Sequence, residues 1–158
     1  MVLRGLAGSL IRFTHRRIWR KLPRKLRRNL LLAGAGAVAP IVARDVRPNG
    51  PVIVVGRLRN ASGLGGVARA CHDALKAAGI EVYGIDISRV LMCELDFPDF
   101  EFEDGRTLVG GGLVLLHVSG DLVPLAVACL GRRFVAQKRI VAHWFWELPA
   151  LPRSWSTA

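Results

Sequence analysis

Two stretches of this chain have the residue types and spacing to do chemistry. The first runs Ser62-Gly63-Leu64-Gly65-Gly66-Val67-Ala68; Gly63, Gly65 and Ala68 fit the pattern G-x-G-x-x-A, and Asp86 follows 21 residues after Gly65. Glycines in such a loop remove Cβ atoms and let backbone N–H groups at a helix N-terminus approach phosphate or hydroxyl oxygens, while an acid at that distance suits a ribose. One feature departs from the pattern. Gly63 comes seven residues beyond Gly56, so Arg57 to Ser62 forms a longer loop, able to reach over a cleft before the helix begins. On this reading Ser62, Gly63, Gly65 and Gly66 contact substrate or phosphate, and Gly65 is an exposed loop glycine whose replacement by valine blocks a ligand and spares the fold. The plainer alternative is a turn that merely needs glycine.

The second stretch is the run from Arg139, which opens into His143, Trp144, Trp146, Glu147, Pro149 and Pro152. It reads as a strand over residues 139–145 that delivers a carboxylate and aromatic rings to a loop, where α/β proteins keep their sites. Trp144 and Trp146 share a side by the two-residue period; they stack on a ligand or join the core. Glu147 either faces a ligand or serves as a cap or an ion-pair partner of Arg153. His117, ending an earlier apolar run, is a ligand contact or a buried histidine satisfied by backbone. His15, His72, His117 and His143 show no metal-ligand spacing, and Cys71, Cys93 and Cys129 contain no C-x-x-C, so no metal is expected and a reducing compartment is the simpler assumption. No G-x-S-x-G elbow or closely spaced carboxylate pair points to another chemistry.

The elements that would position these groups form an α/β pattern. Val52 to Val55 is a β-branched run of the kind buried parallel strands require. A glycine-rich loop follows, then a helix over residues 67–78 closed by Gly79, and a strand over 81–87. Residues 113–118 and 139–145 read as further strands, with Asp121 capping a helix over 122–130 between them. The pattern predicts a Rossmann-like parallel sheet with flanking helices. Residues 94–104 hold six acids among Phe97, Phe100 and Phe102, and read as a solvated loop with a few tucked rings.

Charge divides the chain. Of its 158 residues, 1–47 hold 12 Lys/Arg and one acid, whereas 48–158 hold 11 of each, so the whole net charge of +11 lies in the first segment. A nucleic-acid reader needs its cations on the folded face, so no nucleic-acid partner is expected. Residues 1–47 read as a basic leader, helical or disordered, that could lie on an anionic membrane surface; 48–158 read as the folded domain. Residues 29–43 are uncharged for 15 positions, short of the roughly 18 to 20 that span a bilayer, and Gly34, Gly36 and Pro40 weaken them as a helix. Arg27-Arg28 before Leu30-Leu31-Leu32 imitates a twin-arginine export signal, but behind an unusually long basic region. A cytoplasmic location, peripheral at the inner membrane surface, fits better.

Taken together, Ser62 to Arg69 after a buried strand, Leu116-His117-Val118-Ser119 ending the third strand, Leu130 to Phe134, and the block from Trp144 to Trp155 resemble the N-terminal half of bacterial family 4 glycosyltransferases, over about residues 51–158. The resemblance implies a GT-B architecture of two Rossmann-like domains facing across a cleft, the N-terminal one holding the acceptor. It implies a retaining, metal-independent hexosyltransferase that moves a sugar from a nucleotide-sugar donor to a glycan or lipid-linked acceptor, with no cofactor beyond the donor. On this resemblance the chain ends before the donor domain and is inactive alone. Gly63, Gly65 and Gly66 would lie under donor phosphates and acceptor, and either His143 or Glu147 would take the family's active-site position, with Ser62, His117 and Trp146 in the binding set. The other reading is a non-catalytic module that binds a nucleotide or dinucleotide.

Overall fold

The computed structural model describes residues 21–42, 46–47, 49–91, 93–144 and 150. Four strands, β1 (Val52–Gly56), β2 (Val82–Asp86), β3 (Leu113–His117) and β4 (Arg139–His143), form one all-parallel sheet in the order β2-β1-β3-β4. Helices flank it, giving the Rossmann-like α/β arrangement. The chain steps from β1 to one neighbour and later returns to the other side, so the order reverses between β1 and β3. Open α/β sheets bind ligands at that reversal, beyond the strands' C-terminal ends.

Burial explains why each run became a strand. Residues 53–56 of β1 are wholly inside, as a central strand covered on both faces must be. β4 alternates between exposed and half-buried positions because it lies at the sheet's edge. On one face Ile53, Val55, Val114 and Leu116 meet Val123, Ala126 and Val127 of α3 (Val123–Leu130) and Phe134 and Val135 of the short α4 (Arg132–Val135). On the other face Val54 packs with Ala68 of α2 (Gly63–Ala77), Leu58, Phe100 and Phe102. Each fully buried aliphatic side chain contributes about 1.5–3 kcal/mol, so the first face, with its larger set, carries most of the stability.

Three expectations need correction. α2 begins at Gly63 and not near Val67, so the glycines form its first turn. Asp121 is no helix cap: it sits inside a 3-10 turn, Gly120–Leu122, and the residue at the head of α3 is Leu122. Residues 29–38 of the uncharged run, where Gly34 and Gly36 were expected to weaken a helix, belong to α1 (Arg24–Val38), which rests on α3 with Ala35 buried; neither glycine meets anything within 4 Å. Helix α1 stops ahead of Pro40, as a proline requires. Among the described residues no helix is long and apolar enough to cross a membrane.

The acidic stretch 94–104 is more than a solvated loop. Phe100 and Phe102 close the second core against His72, whose ring meets theirs edge-on with centroids 5.7 and 6.5 Å away. The Glu103 carbonyl accepts the Gly84 N–H at 2.8 Å, fastening the segment to β2.

Candidate active site at the C-terminal edge of the sheet

Strand register places four residues in one row where the strands end: Asp86, Gly56, His117 and His143 pair in that sequence across β2, β1, β3 and β4. Neighbouring strands in such a row lie about 4.8 Å apart. Gly56 stands at its centre because anything larger would collide: an added Cβ would come within 3.0 Å of the Ala68 Cβ and 3.3 Å of the His117 carbonyl oxygen. Its absence lets α2 settle directly on the ends of β1 and β3.

The two histidines meet. Their rings stand edge to face, centroids 5.2 Å apart and planes at 72°, with the two Nδ1 atoms 3.3 Å apart. His117 is 4% exposed, whereas His143 is exposed. Burial, and secondarily the neighbouring His143, hold the His117 imidazole below its ordinary value, so it is neutral near pH 7. The His117 Nε2 is buried and has no hydrogen-bond partner among the described residues. Thus the sequence alternative of a strand-end histidine satisfied by backbone fails at this nitrogen.

Beside this pair, the Arg57–Ser62 loop is held from several sides. Arg69 of α2 donates from Nη1 to the carbonyls of Leu58 and Asn60 at 3.0 and 2.8 Å, while its guanidinium lies 4.2 Å from the Phe97 ring centre. Asp96 accepts the Ala61 N–H at 2.7 Å and the Asn60 side-chain amide at 3.0 Å. Asp86 Oδ1 accepts from the Ser88 hydroxyl at 2.6 Å and from the Ser88 and Arg59 backbone N–H groups at 3.2 Å. These bonds engage one oxygen of the acid expected for a ribose in organising the loop, which weakens the dinucleotide reading.

At the helix N-terminus the predicted binding residues separate into two kinds. Ser62 is the N-cap, its Oγ accepting the Gly65 N–H at 3.3 Å, and its carbonyl accepts the Gly66 N–H at 2.9 Å. Those two N–H groups are therefore spent inside the turn, and Gly63 and Leu64 supply the rest of the first turn's donors. Gly63 has open space where a Cβ would be. Gly65 does not: a Cβ there would run into the Asn60 carbonyl and come within 2.6 Å of the Arg57 carbonyl. The expectation that Gly65 is an open, ligand-facing glycine is therefore overturned; it seats the loop against the helix.

Ser62, Gly63, Gly65, Gly66, His117 and His143 all belong to the C-terminal edge of the sheet. Trp146 and Glu147 lie outside the described residues, while Trp144 packs against the larger core. Sequence reasoning passed over Gly56 and Arg57. The signal for both was available in the abrupt change from Val55 to glycine and then to a cation. Arg57 is half-buried directly after β1, and its Nε has no hydrogen-bond partner among the described residues.

A groove of about 440 Å³ opens elsewhere, lined by Arg69, Asp73, Asp96, Phe97, Pro98, Asp99 and Phe100. Its carboxylates have the wrong sign for a phosphate ligand, and its one guanidinium is occupied by carbonyls. The histidine row carries the better chemistry for such a ligand. No group of three or more His, Cys, Asp or Glu side chains gathers among the described residues in a way that could hold a metal ion. No family model matches the chain, and neither a curated protein nor a solved structure matches it.

Proposed function

We propose that this chain is the acceptor-side Rossmann-like domain of a GT-B glycosyltransferase similar to family 4, with its substrate edge at the ends of β1, β3 and β4. The observation that carries the reading is the placement of a serine-capped, glycine-opened helix N-terminus and a histidine pair at the same C-terminal edge of the sheet, beside the point where strand order reverses. Transfer of a sugar from a nucleotide donor needs no protein nucleophile. It needs N–H groups, a helix dipole and cationic or donor side chains around phosphate and hydroxyl oxygens, and this edge offers Gly63, Leu64, Arg57 and His143 for those parts. Glycan or lipid-linked acceptors are the matching partner class, with a second domain holding the donor nucleotide across the cleft. Association with an anionic membrane surface through the basic first segment belongs to the same proposal.

Titration of the isotopically labelled chain with a nucleotide sugar and, separately, with NAD tests it. Shifts centred on Gly63, Leu64, His117 and His143 with the nucleotide sugar are expected. Silence there, with NAD shifting Gly63 and Asp86, would replace this reading by the dinucleotide module.

A further inference from the structure

A surface helix of a globular protein ordinarily buries one face and turns polar side chains to water on the other. Helix α1 does not. It rests on α3, with Ala35 buried and Leu31 and Leu32 half-buried. The opposite side carries Leu26, Leu30, Ala33 and Ala37, which follow one another at helical steps of four, three and four. All four are exposed, the leucines at 44% and 47%, and Val38 and Ile41 carry the patch to the helix's end and beyond it at 72% and 97%. A helix apolar on both sides needs cover on the second as well.

Charge selects what covers it. The chain's whole net charge of +11 lies in residues 1–47, where no acid precedes Asp45, and the exposed Lys21 and Lys25 stand just before and within the first turn of α1. A second copy of the chain would set like charges against one another, and a nucleic acid would leave the leucines in water. An anionic lipid surface accepts both groups, the lysines among its headgroups and the leucines at the acyl boundary.

We propose that the outer side of α1, formed by Leu26, Leu30, Ala33 and Ala37 with Lys21 and Lys25 at its N-terminal end, is the surface by which the chain lies on an anionic membrane. At 15 residues α1 is shorter than the roughly 20 that cross a bilayer, and it lies in the interface plane. Because α1 packs outside α3, the lipid meets the side of the sheet away from α2. The proposal rests on the membrane association stated above and needs nothing from the sugar-transfer reading; it adds that an apolar helix face, and not basic charge alone, makes the contact.

Cosedimentation of the 158-residue chain with vesicles of equal parts phosphatidylglycerol and phosphatidylcholine, and with phosphatidylcholine vesicles alone, tests it. Binding to the anionic vesicles is expected, at least about tenfold stronger than to the neutral ones. Leu26→Gln combined with Leu30→Gln keeps good helix formers and should weaken binding at least about tenfold. Ile80→Gln, at a similarly exposed apolar position just after α2, should leave it unchanged. Lys21→Gln combined with Lys25→Gln should weaken it about fivefold per lysine. Glutamine-pair binding equal to that of the unmodified chain would overturn the inference and leave basic charge as the contact; no binding of the unmodified chain to anionic vesicles would overturn the membrane association as well. Equal binding to both vesicle types would remove the charge argument that chose the occupant, and dimers that the glutamine pair abolishes, without vesicle binding, would give the face to a second copy. Leu30→Trp keeps the face apolar and guards against a glutamine pair that merely unfolds α1. On vesicles its added emission should shift to the blue and be quenched by brominated lipid; added emission that stays unquenched while the chain sediments would also overturn the inference.

Discussion

The two ends of the β3–β4 pair bury an ionisable side chain each, and they treat it oppositely. At the entering end Lys138 is 1% exposed, yet its Nζ donates to the Leu108 and Gly110 carbonyls at 3.0 Å each and lies 4.3 Å from the Phe134 ring centre. At the leaving end His117 is nearly as buried but keeps one nitrogen without a partner among the described residues. A satisfied buried group closes a structure, whereas an unsatisfied one is retained where something else is at stake. The entering end is thus a fastening for the loop over 108–112, whereas the leaving end keeps a buried nitrogen that the fold itself does not fasten among the described residues.

The largest departure from that division is expected at Gly65, which sits at the leaving end of the sheet but does structural work. Gly65→Val drives side-chain carbons into the Arg57 and Asn60 carbonyls, which are backbone and cannot swing aside. A loss of about 3 kcal/mol or more is expected, with the loop displaced. Urea denaturation checks it. A midpoint equal to that of the unmodified chain would return Gly65 to the open loop.

Next comes Lys138. Truncation to alanine leaves two half-buried carbonyls without their donor and opens a void under Phe134, so a loss of about 2–4 kcal/mol is expected. Lys138→Met refills the void but not the hydrogen bonds, and should recover only part. Should methionine prove as stable as lysine, packing and not the two carbonyl contacts would be the fastening, and the contrast with His117 would lose its basis.

The same contrast has a pH signature. Burial holds both His117 and Lys138 below their ordinary values, so for each the unfolded chain binds more protons than the folded one as pH falls through the interval between the two states' values. Stability therefore rises with pH in each interval. For His117 the interval lies below about pH 6.5, and the slope is at most about 1.4 kcal/mol per pH unit for one proton. Thermal melts of the chain and of His117→Asn between pH 7 and pH 5 should diverge, the variant losing less. Parallel curves would mean that the buried imidazole is not the group being titrated.

Much of this was legible in advance, and the reasons it was or was not are local. The four strands were readable because β-branched runs buried on both faces have few other ways to exist, and Gly79 marks the end of α2 by its positive φ of 72°. The glycines at 63–66 misled because glycine weakens a helix by propensity, while Ser62 and the close approach at Gly65 override that preference through tertiary contact. Helix α1 escaped for the same reason: its stability comes from lying on α3, which no local pattern reports. His117 and His143 were each visible as strand ends, but nothing in the spacing of residues 26 apart gives their register; only the pairing of β3 with β4 brings them together. Lys138 was invisible, because a lone lysine before a strand reads as solvated until both carbonyls of the 108–110 turn are found above it.

The smallest expected effect separates stability from binding most cleanly. Gly63 occupies the first turn of α2, has no positive φ, and meets nothing within 4 Å of where a Cβ would stand. Alanine at a helical position restricts the unfolded chain more than glycine does, so Gly63→Ala should stabilise by about 0.5–1 kcal/mol. The Ser62 cap is untouched, since its bonds go to Gly65 and Gly66. If the bare surface at Gly63 exists for a ligand oxygen to approach the Gly63 and Leu64 N–H groups, the same methyl should weaken pyrophosphate binding while the melting temperature rises. Opposite signs in the two measurements are what an edge kept open for a partner requires. A variant that gains stability and binds pyrophosphate unchanged would leave Gly63 as an ordinary first-turn glycine and shift the anion contact to Arg57 and His143.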